Sequence, residues 1–274
     1  MELICPIQNQ ALKAQFLQQG FVVIPALFQP DKIHQLQNIS SNYFSHKDQA
    51  FLYSLMENNP ENNHLLHQTI SELILPELGQ IFTQFKMKST SLLIKPGISG
   101  SEMHLHQDWT FTNEENFSPV TVWIALQHTN PNNGCLFVLP QSHRWFKNYR
   151  SHHYETARID KNALGKKVVS IPVQPGDVVL FHPAVFHGSF PNQSNQDRVV
   201  VSSTILPNQA PYLHVKRKNA TQAQLFHIND ATFFSDLAKL NHSYGFESEQ
   251  TEVLPYIHSI PTTEDLLFHL NSHV

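Results

Sequence analysis

The sequence predicts a mainly β fold with flanking helices, a sandwich or barrel whose strands fall within residues 86–206. Three observations predict it. Seven short segments, near 86–95, 103–110, 119–128, 134–139, 167–173, 177–182 and 197–206, are separated by turn residues at the spacing of all-β architectures. The first 85 residues instead carry mainly helical periodicity. A chain of 274 residues, 41% hydrophobic and 15% charged, has material for one large core, so residues 1–274 are read as a single domain.

In chain order, Leu12, Phe16 and Leu17 recur at helical spacing until Gly20, and "FVVIPALF" follows as a strand. Pro30 and Asp31 suit the first turn of a second helix through Ile33, Leu36 and Ile39. Residues 50–84 read as helical, interrupted by "NNPENN" and Pro76. After the strands of 86–206, residues 207–274 form a C-terminal extension: 207–260 reads as polar and irregular with a helix near 229–240. A last helix begins at Thr262 or Thr263, with Glu264 and Asp265 where the helix dipole favours acids.

Composition narrows the partners. A net charge of −4 without a run of five or more like charges speaks against nucleic acid and anionic membrane, and favours a small-molecule substrate. Cys5 and Cys135 do not make a disulfide framework. "MELICPIQNQ" is no secretory leader, and no apolar run approaches 18 residues, so a cytoplasmic location is expected. Oligomeric state is not legible.

The chemistry concentrates around "MHLHQDWTF". With 18 histidines, a lone His-x-Asp match is weak, and His46-Lys47-Asp48 is a second copy. That copy follows a helical pattern, where residues i and i+2 diverge. His106 and Asp108 sit in a strand-like context, where i and i+2 share a face and both can reach one metal. Two histidines and one carboxylate make the facial triad of non-haem iron(II) oxygenases. His182 and His187 are the candidates for the distant ligand. Arg198 lies eleven residues beyond His187, an offset no other histidine has. If a loop joins flanking strands there, both face one cavity, and a guanidinium beside an open metal suits a dicarboxylate.

These residues carry a resemblance. The chain resembles the phytanoyl-CoA dioxygenase family in "FLQQGFVVIPALF", "KPGISGSEMHLHQD", "VWIALQHTNPNNGCLFVLPQSHR" and "PGDVVLFHPAVFHGSFPNQSNQDR". The resemblance implies a double-stranded β-helix, the cupin-like jelly roll, and a dioxygenase using iron(II), 2-oxoglutarate and dioxygen. It matches His106, Asp108 and His187 to the iron ligands and Arg198 to the residue gripping the distal carboxylate of 2-oxoglutarate. It also places Ser189 beside that carboxylate and Trp123 and Lys95 in the cosubstrate pocket. The implied outcome is C–H hydroxylation with release of succinate and carbon dioxide. One departure stands out: the family often reads Pro-Gly-Ser-His where this chain has Pro140-Gln141-Ser142-His143, which leaves His143 without an assigned role.

Alternative readings have discriminating features. Asp108 disfavours a halogenase, which needs a small residue there. A cupin using His104 and His106 would leave the His187–Arg198 spacing unexplained, and a catalytically silent jelly-roll binding module would bind neither metal nor 2-oxoglutarate. Trp123 also fits plain core, His182 a structural role and His104 a place at the cavity rim. Substrate selection is expected from segments 50–75, 146–166 and 207–225. In the second of these, Tyr149, Arg150, His152, His153, Tyr154 and Arg158 would suit a substrate bearing a carboxylate or phosphate.

Overall fold

The computed structural model describes residues 3–44, 51–57, 59–98, 101–146, 148–151, 159–219, 221–236, 251–255 and 261–272. Its elements are α1 (Gln10–Gln19), β1 (Phe21–Ile24), α2 (Pro30–Tyr43), β2 (Leu52–Tyr53), α3 (Pro60–Leu78), β3 (Phe85–Lys95), β4 (Met103–His106), β5 (Val120–Ala125), β6 (Leu136–Leu139), α4 (Lys161–Leu164), β7 (Val169–Ile171), β8 (Val178–Phe181), β9 (Phe186–Ser189), β10 (Arg198–Pro207), β11 (Tyr212–Arg217), β12 (Gln222–Ile228), β13 (Thr251–Pro255) and α5 (Thr263–Ser272).

The N-terminal helices are closed by local chemistry. Asn9 caps α1 by accepting the Leu12 N–H, and Gly20, at φ 81°, ends it in the left-handed conformation that glycine adopts without strain. Pro30 opens α2, and Asn59 with Pro60 opens α3. On α3, Asn63, Leu66, Ile70, Ile74 and Leu78 are buried at three- and four-residue spacing, which lays one stripe against the sheet.

Two antiparallel sheets form a jelly roll. The larger has the order β1-β8-β5-β10-β3-β2 and the smaller β4-β9-β6-β7. Strand alternation separates two cores. In β5, Val120, Val122 and Ile124 join Phe16, Leu36, Ile70 and Ile74 on the helical side, whereas Trp123 and Ala125 face inward against Leu136 and Val138 of the smaller sheet. Each fully buried branched or aromatic side chain contributes about 1.5–3 kcal/mol, so both sides fix this strand's register. Leu105, Phe137, Leu139 and Phe186 cover the opposite side of the smaller sheet with Leu266 of α5.

Several expectations need correction. The larger sheet takes in β1, the strand expected in "FVVIPALF", and also β2, which lies inside the segment read as helical. Residues 207–260 are not simply irregular: β11, β12 and β13 make a third, three-stranded sheet. The helix expected near 229–240 is a short 3-10 turn over Ala231–Ser235, and 237–240 lie outside the described residues. Among the described residues, no helix is long and apolar enough to cross a membrane. Cys5 and Cys135 are buried free thiols.

Candidate metal centre and adjoining cavity

The smaller sheet brings the two histidines together. β4 pairs with β9, and His106 stands directly opposite His187 in the register. Asp108 follows the end of β4, and its N–H donates to the Pro183 carbonyl at 2.8 Å. One ligand atom from each of His106, Asp108 and His187 lies within 4.8 Å of the others. The Asp108 Oδ1 is 3.8 Å from His106 Nε2 and 3.6 Å from His187 Nε2. Two atoms each about 2.1 Å from a shared ion lie between about 3.0 and 4.2 Å apart, so these separations match a common metal.

The tautomers also fit. His106 Nδ1 contacts the His104 carbonyl at 2.8 Å, and His187 Nδ1 contacts the Val185 carbonyl at 2.9 Å. A carbonyl only accepts, so each Nδ1 carries a hydrogen, which leaves each Nε2 as the nitrogen directed toward Asp108. Burial pushes the His187 ring down to about 4, against the opposing pull of Asp108, which keeps it neutral near pH 7. The two Nε2 atoms and one carboxylate oxygen are a donor set suited to a divalent cation with open positions.

Neighbouring residues hold the geometry. Gln107 donates through Nε2 to the Ala184 carbonyl at 2.6 Å, tying the end of β4 to the turn before β9. Arg150 is buried, donates through Nε to the Asp108 carbonyl at 2.6 Å and pairs with Glu114. Gly188 allows the strands to approach, because a Cβ there would lie 2.3 Å from the Met103 carbonyl oxygen and 2.6 Å from the Phe137 ring. Gly188→Ala is therefore expected to separate β4 from β9. Metal affinity measured by titration should fall at least about 10-fold, the range seen when a ligand's supporting residue is lost; unchanged affinity would show that the pairing tolerates the methyl.

The triad opens on a cavity of about 540 Å³ between the sheets. Arg198, at the start of β10, is 2% exposed and lines it, and its Nε and Nη1 have no hydrogen-bond partner among the described residues. Its guanidinium carbon lies 5.7 Å from the Trp123 ring centre, and Trp123 and Ser189 line the same space. A buried guanidinium with orphaned donors is costly unless an anion reaches it. Lys95 differs. Its Nζ donates to the carbonyls of Ser101, Ser189 and Phe190, which makes it a brace beneath Arg198 rather than part of the cavity wall. Burial, with Arg198 adding repulsion, lowers it to about 7.

Other sequence candidates separate by position. The His104 ring is exposed, because an irregularity between Met103 and His106 breaks the alternation; its carbonyl, not its ring, serves the centre. His182 accepts the Ala184 N–H on Nδ1 and lies with His143 on a second cavity. Gln141 occupies φ 68°, the left-handed conformation for which glycine is the easier residue. Arg150 is not a substrate donor in the described cavity, since Glu114 and Asp108 already engage it. His46, Asp48, His152, His153, Tyr154 and Arg158 lie outside the described residues. Tyr53 and Lys88 are among the cavity residues that the sequence does not single out.

Comparison with known proteins follows this geometry. A family model described as phytanoyl-CoA dioxygenase (PhyH) matches residues 16–200. The peroxisomal phytanoyl-CoA dioxygenase of Bos taurus is 33% identical over 141 residues, 46% of this chain and 41% of its own length. A probable alpha-ketoglutarate-dependent hypophosphite dioxygenase of Stutzerimonas stutzeri is 29% identical over 150 residues, 49% of this chain and 51% of its own. The chain thus spans about half or less of the length of these relatives. HygX from Streptomyces hygroscopicus, solved with nickel and 2-oxoglutarate, matches 73% of this chain and 88% of its own with a TM-score of 0.55 at 14% identity. EvdO2 from Micromonospora carbonacea var. aurantiaca matches 75% and 94% with a TM-score of 0.56 at 16% identity. At such identities these two structures speak for the fold.

Proposed function

The chain belongs to the phytanoyl-CoA dioxygenase family, and from that membership we propose that it is an iron(II)- and 2-oxoglutarate-dependent dioxygenase hydroxylating a C–H bond of a small molecule. One observation carries the reading: three metal-competent donor atoms and the orphaned guanidinium of Arg198 share one buried cavity. A metal-only scaffold would have no use for the arginine, and an arginine-only anion site none for the triad.

His106, Asp108 and His187 would hold iron(II), and Arg198 would grip the distal carboxylate of 2-oxoglutarate with Ser189 close by. When bound, iron(II) with 2-oxoglutarate and dioxygen supplies the oxidising power for C–H cleavage, with succinate and carbon dioxide released. The chain's own residues do the positioning. The two Nδ1–H groups fix the imidazoles with Nε2 toward the ion, and the His187 ring, held neutral by burial, has no proton to lose on metal binding. Asp108 offsets one of the two metal charges. Leu93, Trp123, Leu136 and Phe181 give this part of the cavity an apolar lining that excludes bulk water. The proposed substrate is a small molecule bearing a carboxylate or phosphate.

Anaerobic titration with iron(II), then 2-oxoglutarate, followed by an assay for succinate, tests the reading; a silent binding module would bind neither tightly. Arg198→Ala should raise the 2-oxoglutarate Kd by roughly 30- to 5,000-fold, the equivalent of about 2–5 kcal/mol for truncating one partner of a buried charge pair. Metal affinity should hold. Arg198→Lys should recover only part of the loss, because an ammonium cannot reproduce the planar fork.

A further inference from the structure

Lys88 has a position that the triad and Arg198 do not explain. β3 and β10 pair regularly from Lys95 opposite Arg198 to Ser89 opposite Thr204, and then Met87 stands opposite Ile205, leaving Lys88 as an extra residue. Such a bulge re-aims a side chain. Met87 packs on the helical side, while Lys88 and Ser89 both line the cavity. Lys88 is 5% exposed. Its Nζ stands 3.8 Å from the Phe111 ring centre and 4.6 Å from that of Phe234, and among the described residues no hydrogen bond or ion pair reaches it. The aromatic faces attract the cation but accept none of its three N–H groups in the manner of an oxygen.

A nearly buried lysine amine is thus aimed by a strand irregularity into the cavity that holds the triad, with its donors unanswered among the described residues; burial lowers it to about 7 against the pull of Asp108, so an anion beside it would also favour its charged form. Along the β3–β10 ladder Lys88 lies seven residues from Lys95, the partner of Arg198, roughly 20 Å of strand. The two carboxylates of 2-oxoglutarate are no more than about 6 Å apart, judged from carbon–carbon bonds. A cosubstrate held between the triad and Arg198 therefore leaves the Lys88 end free for another molecule. Ser89, Thr121, Ser202 and Thr204 give that end a hydroxyl lining.

We propose that Lys88, framed by Phe111 and Phe234, is the specificity-determining residue that receives an anionic oxygen group, carboxylate or phosphate, of the primary substrate. This rests on the reading of the triad and Arg198 as the metal and cosubstrate site. The anion supplies the missing acceptors, and holding it at one end fixes which carbon of the remaining chain lies beside the triad.

The test uses wild type, Lys88→Met, which keeps length and volume without charge, Lys88→Gln as a second neutral variant, and Lys88→Arg. Each is titrated with octanoate, octyl phosphate, octanamide and octanol, with zinc(II) and 2-oxoglutarate in excess, and binding is read by calorimetry. Octanoate or octyl phosphate should bind wild type and Lys88→Arg at least about tenfold more tightly than either neutral variant, as for a hydrogen bond to a charged group. Whichever anion shows the larger ratio identifies the head group. Octanamide and octanol should not distinguish the proteins. Equal anion affinity in wild type and the neutral variants, no anion binding by wild type, or a weakened 2-oxoglutarate Kd in the neutral variants would overturn the assignment. Zinc and 2-oxoglutarate are titrated separately beforehand. Failure there, with the anion ratio intact, would reject the dioxygenase reading and leave Lys88 as an anion site.

Discussion

Asp108→Ala is expected to abolish iron-dependent succinate formation and to weaken metal binding by at least about 1,000-fold. A carboxylate about 2.1 Å from a dication contributes on the order of 10 kcal/mol of gross attraction at an effective permittivity near 20. Desolvation offsets much of this, and a residue of about 4 kcal/mol already corresponds to roughly 1,000-fold in affinity. The variant should fold, because the Asp108 side chain is partly exposed and its structural bonds are made by the backbone: the N–H to Pro183 and the carbonyl to Arg150. Circular dichroism and Tm near wild type, with metal stoichiometry near zero, would be the result. Asp108→Asn should behave similarly, since the amide keeps the shape but loses the charge. Turnover at the wild-type rate in either variant would remove Asp108 from the metal set.

Much of this site was legible because its elements follow simple periods. His106 and Asp108 are two apart at a strand end, and the seven segments between 86 and 206 each contain a strand. β9 was hidden: "FHGS" is four residues long, contains glycine and precedes a loop rich in Asn, Gln and Ser, so it read as loop entry. Its strand character comes from β4 and β6 pairing on either side of it, a tertiary fact. β11 and β12 do carry the alternation of a half-buried strand, Leu213 and Val215 with His214 and Lys216, and Ala223 and Leu225 with Gln222 and Gln224, but each shows only two repeats of it within a polar stretch, too little to stand out from an irregular connection.

Charged residues misled in both directions. Arg150 read as a substrate donor because sequence shows a charge and not its partner, and Glu114, thirty-six residues upstream, is that partner. Lys88 attracted no notice because strict alternation in "FKMKSTSLLIK" would turn it toward the helices. A single extra residue in a ladder reverses its side, and no period in one strand reveals where the other strand falls out of step.

The metal-free protein is expected to lose stability steeply as pH falls from about 6.5 to 4. Burial pushes His182 down to about 3 and His187 to about 4, and lowers His143 to about 3 with the neighbouring His182 adding repulsion. In the unfolded chain each ring has its ordinary value near 6.5. Between the folded and unfolded values the unfolded state binds more protons, so stability is full above about pH 6.5 and declines as pH falls. Each such ring contributes about 1.4 kcal/mol per pH unit. The two fully buried rings alone give nearly 3 kcal/mol per unit, with His143 adding to it, against a typical total of about 5–15 kcal/mol. The loss from His187 ends near pH 4, and that from His182 and His143 continues toward 3. Urea unfolding at pH 7, 6, 5 and 4.5 measures the slope, and His182→Asn should reduce it by about one proton's worth, 1.4 kcal/mol per unit. Excess zinc should move the acid midpoint downward, because the ion and the proton compete for the His187 Nε2 lone pair. Stability that is flat from pH 7 to 5 would mean that these rings are not held neutral by burial, and would withdraw the argument that the His187 nitrogen is already deprotonated when the ion arrives.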